Sequence, residues 1–227
     1  MLITLPDVLN PDELAQAQAL LARSAWAGGE ITAGLQATQV KNNRQLAESA
    51  EHLPALRRLV LGALSRNAGF FTAALPRRIY PPLFNSYTGA TNCFGNHVDG
   101  AVRPIPDGGG HLRTDVSATL FLSDPADYDG GELVIEDTFG DHSIKLAAGS
   151  MVVYPSSSIH RVEPVTRGER QACFLWLESM VRDAGQRRLL YEMDMALLAL
   201  RRDIGDTAPV VRLTGTYHNL LRQWAEA

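Results

Sequence analysis

At 227 residues the chain can bury one sizeable core, or one core with a small appendage. Its 45% hydrophobic and 20% charged content is ordinary for a globular protein, and a net charge of −4 gives no overall basic field of the kind that gathers nucleic acid. No apolar run approaches the roughly 18 residues that span a membrane, the first residues lack the basic start and small-residue cleavage site of a secretory signal, and two cysteines make no disulfide framework. The expectation is a cytoplasmic protein with neither membrane nor nucleic acid as partner.

Asn10-Pro11-Asp12-Glu13 predicts a helix start: Asn10 caps, Pro11 suits the first turn and Glu13 reaches back. Leu14, Ala17, Leu20 and Leu21 form its apolar face, and Gly28-Gly29 reads as the turn that ends the unit. The polar stretch from Gln36 to Gln45 reads as strand or loop. A second helix runs from about Pro54 to Asn67, with Leu56, Leu59, Val60, Leu61 and Leu64 on a broad apolar face.

From about Ile79 the texture changes to short β-like runs separated by turn residues: Leu83–Tyr87, Ser117–Leu122, Glu132–Glu136, His142–Leu146, Ser150–Tyr154 and Gln171–Leu177. Many short strands predict a sandwich or barrel, and a jelly roll brings His97 and His160 together. Arg103 to Gly110 is the most flexible-looking segment, either a lid or an ordinary solvent loop. Ala184 to about Arg202 turns helical, with Leu189, Met193, Ala196, Leu197 and Leu200 on one stripe, and Thr214 to Ala225 reads as a final helix. This tail packs on the barrel or makes a homo-oligomer contact. Arg182, Arg187, Arg188, Arg201 and Arg202 read as solvated helix faces. The fold class is α+β, in three regions: 1–78 supporting helices, 79–180 β core and 181–227 helical extension.

The chemistry-bearing residues lie in the β core. In an extended segment His97 and Asp99 project to one face while Val98 points away into packing. Gly89, Gly95 and Gly100 predict irregular, exposed backbone there. Two histidines and a carboxylate are the donor set that holds non-haem Fe(II) on one face. The pair alone is weak: 6 His and 25 acidic residues give about 0.7 such pairs by chance, and Asp99 capping a turn beside a surface His97 is the competing reading. His160 follows the strand-like Met151-Val152-Val153-Tyr154-Pro155. Arg170 opens the next strand and shares its face with Ala172, Phe174 and Trp176, where a charge is costly unless paired; a dicarboxylate ligand would pair it. Cys173 faces the opposite side as a buried thiol, and Cys93 reads as a loop residue near the metal. His52, His111, His142 and His218 read as structural or solvent-facing, and Asp129-Gly130-Gly131-Glu132 as a hairpin turn without a catalytic part.

Asn85-Ser86-Tyr87, His97-Val98-Asp99, Asp129-Gly130-Gly131-Glu132-Leu133, Gly149-Ser150 through His160 and Gly168-Glu169-Arg170 through Trp176 resemble the Fe(II)/2-oxoglutarate dioxygenases of the prolyl-4-hydroxylase type. Lys41-Asn42-Asn43 and the helical tail are similar to those of the bacterial PKHD-type hydroxylases in particular. The resemblance implies a double-stranded β-helix (jelly roll, cupin-like), with Fe(2+) held by His97, Asp99 and His160. It implies 2-oxoglutarate held by Arg170 and the Tyr87 hydroxyl, O2 as co-reactant and L-ascorbate as the agent that restores Fe(II). The retained Asp99 favours hydroxylation over halogenation. The implied substrate is a small molecule or peptide: a peptidyl proline, a small peptide-like molecule or a siderophore-related compound, with a link to iron uptake. A zinc hydrolase on the same ligands and a non-catalytic metal-binding jelly-roll module stay open beside it.

Overall fold

The computed structural model describes residues 1–29, 35–106 and 108–226. In chain order the elements are β1 (Ile3–Leu5), α1 (Pro11–Ala22), β2 (Trp26–Gly28), α2 (Leu35–Val40), β3 (Lys41–Asn42), β4 (Arg44–Leu46), α3 (Leu53–Arg66), α4 (Ala68–Ala74), β5 (Pro76–Ile79) and β6 (Leu83–Tyr87). Next come β7 (Cys93–His97), β8 (Val102–Pro104), β9 (His111–Arg113), β10 (Val116–Phe121), β11 (Asp129–Gly130), β12 (Leu133–Asp137) and β13 (Gly140–Ile144). The remainder are β14 (Met151–Pro155), β15 (His160–Val162), β16 (Val165–Arg167), β17 (Arg170–Ser179), α5 (Ala184–Ile204) and α6 (Ala208–Trp224).

The main antiparallel sheet runs β1-β14-β10-β17-β6-β4-β2, with β5 also on β17; a second runs β13-β12-β15-β7-β3. Period-two alternation gives the main sheet two buried faces. Met151 and Val153 of β14, Ala118 and Leu120 of β10, and Cys173, Leu175 and Leu177 of β17 pack against α1 and α3 through Leu21, Leu56 and Val60. The intervening Phe121, Val152 and Tyr154 face the second sheet and meet its Leu133, Ile135 and Val162. A strand covered on both faces needs an unbroken apolar run, which is why Met151-Val152-Val153-Tyr154 is fully buried. A cavity lined by residues of both sheets, among them Phe94 and His97 of β7 and Ser117 and Thr119 of β10, lies between them.

The capping box at α1 forms as predicted: Asn10 accepts from the Glu13 amide and Glu13 accepts from the Asn10 amide. The unit does not end in a turn at Gly28-Gly29, because Gly28 pairs with Arg44 in β2–β4. The Gln36–Gln45 stretch contains a short helix, α2, which sequence reading gave as strand or loop; six residues are too few to show a helical period. Part of Arg103–Gly110 is a β8–β9 hairpin arm, with the Arg103 guanidinium 3.4 Å above the Trp176 ring; Asp107 lies outside the described residues. Asp129-Gly130 is no hairpin turn: it pairs with β16, far along the chain.

Helices α5 and α6 pack on each other and on the end of α4 through Leu75, Val181, Leu190, Leu197, Val210 and Tyr217. Thr72 on α4 donates to Asp194 on α5 at 2.6 Å. The buried stripe overlaps the predicted one: Leu197 is inside and Met193 packs against the cluster as predicted, and Leu190 joins them, whereas Leu189 and Leu200 are exposed. Helix α6 starts at Ala208, earlier than predicted, because Pro209 is accommodated in a first turn. Arg187 is not solvated; it is buried and donates to the Val181 and Arg182 carbonyls, pinning α5 to the end of β17. No described helix is long and apolar enough to cross a membrane.

Candidate metal centre

His97 ends β7 and faces His160 of β15 directly across the ladder, with ring centroids 4.2 Å apart. The chain then leaves the sheet and brings Asp99 back, its Oδ2 3.7 Å from His160 Nε2. Among the described residues, His97, Asp99 and His160 form the one cluster able to hold a metal, with donor atoms all within 4.8 Å of one another. His97 Nδ1 donates to the Gly95 carbonyl at 2.8 Å and His160 Nδ1 to the Ser158 carbonyl at 3.1 Å. Those bonds fix both tautomers, leaving the Nε2 lone pairs for a metal. Burial, with His160 beside it, pushes His97 down to about 4, so its ring is neutral at neutral pH, as ligation requires. Phe94 stacks on His97 at 3.6 Å and the Tyr154 edge abuts His160. Ser117 donates to Asp99 Oδ2 at 2.6 Å and itself meets the Ser156 hydroxyl at 2.7 Å. Two nitrogens and one carboxylate oxygen on one side of an open cavity fit an Fe(II) ion and leave its other face accessible.

A cavity of about 620 Å³ runs from these residues to Arg170. Arg170 is 1% exposed, and none of its guanidinium nitrogens has a hydrogen-bond partner. Its charge lies between the Tyr87 and Phe121 rings, 5.2 and 5.1 Å from their centres. A buried charge without hydrogen bonds is strongly unfavourable, so the guanidinium has the chemistry of a waiting anion receptor. The Tyr128 hydroxyl lies in its field and is likewise unbonded. Burial raises the pKa of Tyr87 and of Tyr128, with Arg170 opposing the rise, so both stay hydroxyl donors at neutral pH. Gly131, at φ +68°, makes the room: a Cβ there would lie 3.0 Å from Arg170 Cδ and 2.8 Å from Val165 Cγ2.

All five residues singled out in the sequence, Tyr87, His97, Asp99, His160 and Arg170, line this one cavity. Val98 does not point into packing; it is 47% exposed at the cavity wall, just beyond the end of β7 at His97. Cys93 is not in a loop but opens β7, paired with Asn42. Gly95 lies in that strand where its register against β15 shifts, between the Phe94–Val162 and His97–His160 pairs, so the backbone is irregular there as predicted; it packs so near Val40 that a Cβ would lie 2.9 Å from it. Sequence reading missed Ser117, although its signal was present: Ser117 and Thr119 interrupt the apolar run Val116–Phe121 at period two, on the face that meets the cavity.

The donor set and the layered sheets are those of a 2-oxoglutarate- and Fe(II)-dependent oxygenase, and the model of the 2OG-Fe(II) oxygenase superfamily matches residues 82–178. A model described as the PKHD-type hydroxylase C-terminal domain matches residues 184–226. A PKHD-type hydroxylase of Nitrosomonas europaea is 68% identical over 227 residues, covering all of both chains, and one from Azoarcus sp. is 64% identical over 228 residues, again covering all of both. The chain belongs to the PKHD-type hydroxylase family. A solved prolyl hydroxylase from Trichoplax adhaerens, in complex with a hypoxia inducible factor peptide, shares the fold: 16% identity, TM-score 0.54, covering 83% of this chain and 86% of that one.

Proposed function

We propose that His97, Asp99 and His160 are the Fe(II) ligands of this hydroxylase, and that Arg170 and Tyr87 hold the distal carboxylate of 2-oxoglutarate. The observation that carries the reading is the buried Arg170 guanidinium, without hydrogen bonds, at one end of the cavity whose other end holds the three ligands. When bound, iron would supply the chemistry by which O2, the oxidant, converts 2-oxoglutarate to succinate and CO2 and a C–H bond of the substrate to C–OH. The chain supplies the positions. Gly95 and Ser158 aim the two imidazoles, Ser117 orients Asp99, and the planar fork of Arg170 receives a carboxylate in bidentate fashion. The Tyr87 hydroxyl donates to the same carboxylate.

L-ascorbate is assigned as the reductant that returns the metal to Fe(II). The β core, 79–180, is assigned as a double-stranded β-helix, supported by two antiparallel sheets facing one another across the cavity. Residues 1–78 brace it and 181–227 extend it. The exposed Leu189, Leu200, Ile204 and Val211 support a homo-oligomer through the C-terminal helices. The substrate class is a small molecule or peptide, of a size that the space left beside cosubstrate in about 620 Å³ admits.

The test is anaerobic titration of the Fe(II)-loaded protein with 2-oxoglutarate, followed by succinate release and O2 uptake on aeration. Mass spectrometry of a treated cell extract then seeks a gain of one oxygen. A protein that binds iron at these residues but neither binds nor consumes 2-oxoglutarate would sink the reading.

A further inference from the structure

Across β4–β6, Arg44 faces Ser86 and Gln45 faces Asn85, so the preceding residue, Asn43, falls opposite Tyr87 in the same register. On the other side of β6, Tyr87 faces Arg170. Asn43, Tyr87 and Arg170 thus form one row across three neighbouring chain segments, each step about 5 Å. All three line the cavity. Both ends of the row are in the same condition. Asn43 is 4% exposed, and neither its Nδ2 nor its Oδ1 has a hydrogen-bond partner. The Tyr87 hydroxyl between them is affected by both neighbours.

Asn43 is also held in place by shape. A Cβ on Gly29 would lie 1.8 Å from Asn43 Oδ1, so the amide occupies the volume that any other residue at position 29 would fill. The Gly29 amide donates to the Asn43 carbonyl at 2.9 Å, fixing the two backbones against each other. A closed apolar core does not set aside space for an unbonded amide.

We propose that Asn43 is a further cosubstrate-binding residue, whose amide N–H donates to the distal carboxylate of 2-oxoglutarate from the side opposite Arg170, with Gly29 as the slot that sets its orientation. A carboxylate offers about four acceptor sites. The Arg170 fork takes two, the Tyr87 hydroxyl a third, and Asn43 the fourth. The inference rests on the assignment of Arg170 and Tyr87 to the cosubstrate.

The experiment is anaerobic titration of the Fe(II)-loaded protein with 2-oxoglutarate, read by the iron–cosubstrate charge-transfer absorption, with Fe(II) affinity measured separately. Asn43→Ala should weaken 2-oxoglutarate binding by roughly tenfold to a hundredfold, the size of one or two hydrogen bonds to a charged group. Asn43→Asp should weaken it further, since a second negative charge would meet the ligand carboxylate. Gly29→Ala should match Asn43→Ala in affinity and also lose thermal stability. The double variant should be no weaker than Asn43→Ala alone and should regain that stability, because no side chain remains to be displaced. Fe(II) affinity should be unchanged throughout. If the unaltered protein develops no absorption with 2-oxoglutarate, the cosubstrate reading of the site fails, and this inference with it. If the unaltered protein titrates normally and Asn43→Asp binds as tightly, Asn43 alone is removed from the site. Should Asn43→Ala not fold, Asn43→Asp and Asn43→Ser decide by the same criterion.

Discussion

At the His97 end of the cavity, the groups that aim the ligand residues have partners inside the chain: two backbone carbonyls on the imidazoles and the Ser117 hydroxyl on Asp99. At the Arg170 end, the guanidinium, the Tyr128 hydroxyl and the Asn43 amide have none. The difference matches what each end is proposed to receive. A metal ion needs fixed tautomers and a fixed carboxylate before it arrives, and only the chain can provide them. A carboxylate ligand brings its own acceptors. An internal acceptor beside Arg170 would satisfy the charge and shut the ligand out.

Asp99→Ala tests the self-satisfied end and should have the largest effect. Fe(II) binding should fall steeply and succinate formation should stop, while the chain stays folded, since Asp99 is outside the main apolar core. Full iron-dependent activity in this variant and in His160→Ala would remove both from the site.

Arg170→Met tests the unsatisfied end. The 2-oxoglutarate affinity should drop on the order of a hundredfold, with each lost charge-assisted bond worth roughly 1.5–3 kcal/mol. The ligand-free melting temperature should hold or rise, because an unbonded buried charge is replaced by apolar volume. Added 2-oxoglutarate should no longer raise it. A lower ligand-free melting temperature would show that the guanidinium is structural, and the contrast between the two ends would collapse.

Ser117→Ala sharpens the contrast from the iron side. Metal affinity should fall about tenfold to a hundredfold, as for loss of a hydrogen bond that orients a ligand, with little change in 2-oxoglutarate binding to the metal-saturated form. The smallest effect belongs to Gly131→Ala, which crowds Arg170 Cδ and strains a positive φ. Cosubstrate binding should weaken by up to about tenfold and stability by about 1 kcal/mol, leaving Fe(II) affinity alone. A Gly131→Ala protein that loses iron first would tie the two ends together.

Residues that act through their own chemistry were readable in the sequence. His97, Asp99, His160 and Arg170 carry a donor set and a charge on an apolar strand, and the structure gathers all four around one cavity. The helix from Asn10 and the long β17 were readable because a capping box and period-two alternation are local patterns. What escaped depends on packing across elements. Arg187 resembles any helix-surface arginine until its contacts with Val181 and Arg182 are known. Gly131 resembles turn glycine until its neighbour proves to be Arg170. The face of α5 that turned inward was chosen by α4 and α6, since leucines on both sides of the helix left its own pattern ambiguous.

The alternation along β17 puts a thiol on the face of the main sheet opposite the proposed iron site. Ala172 and Phe174 turn toward the second sheet, while Cys173 between them faces the helices, fully buried, with its pKa pushed far up by that burial. Cys93, half-buried at the start of β7, is the other thiol. An alkylating reagent therefore meets Cys93 in the native chain and Cys173 only when the main sheet parts from its helices. The second label to appear on each molecule is a built-in clock for that opening, ticking in an otherwise unaltered sequence.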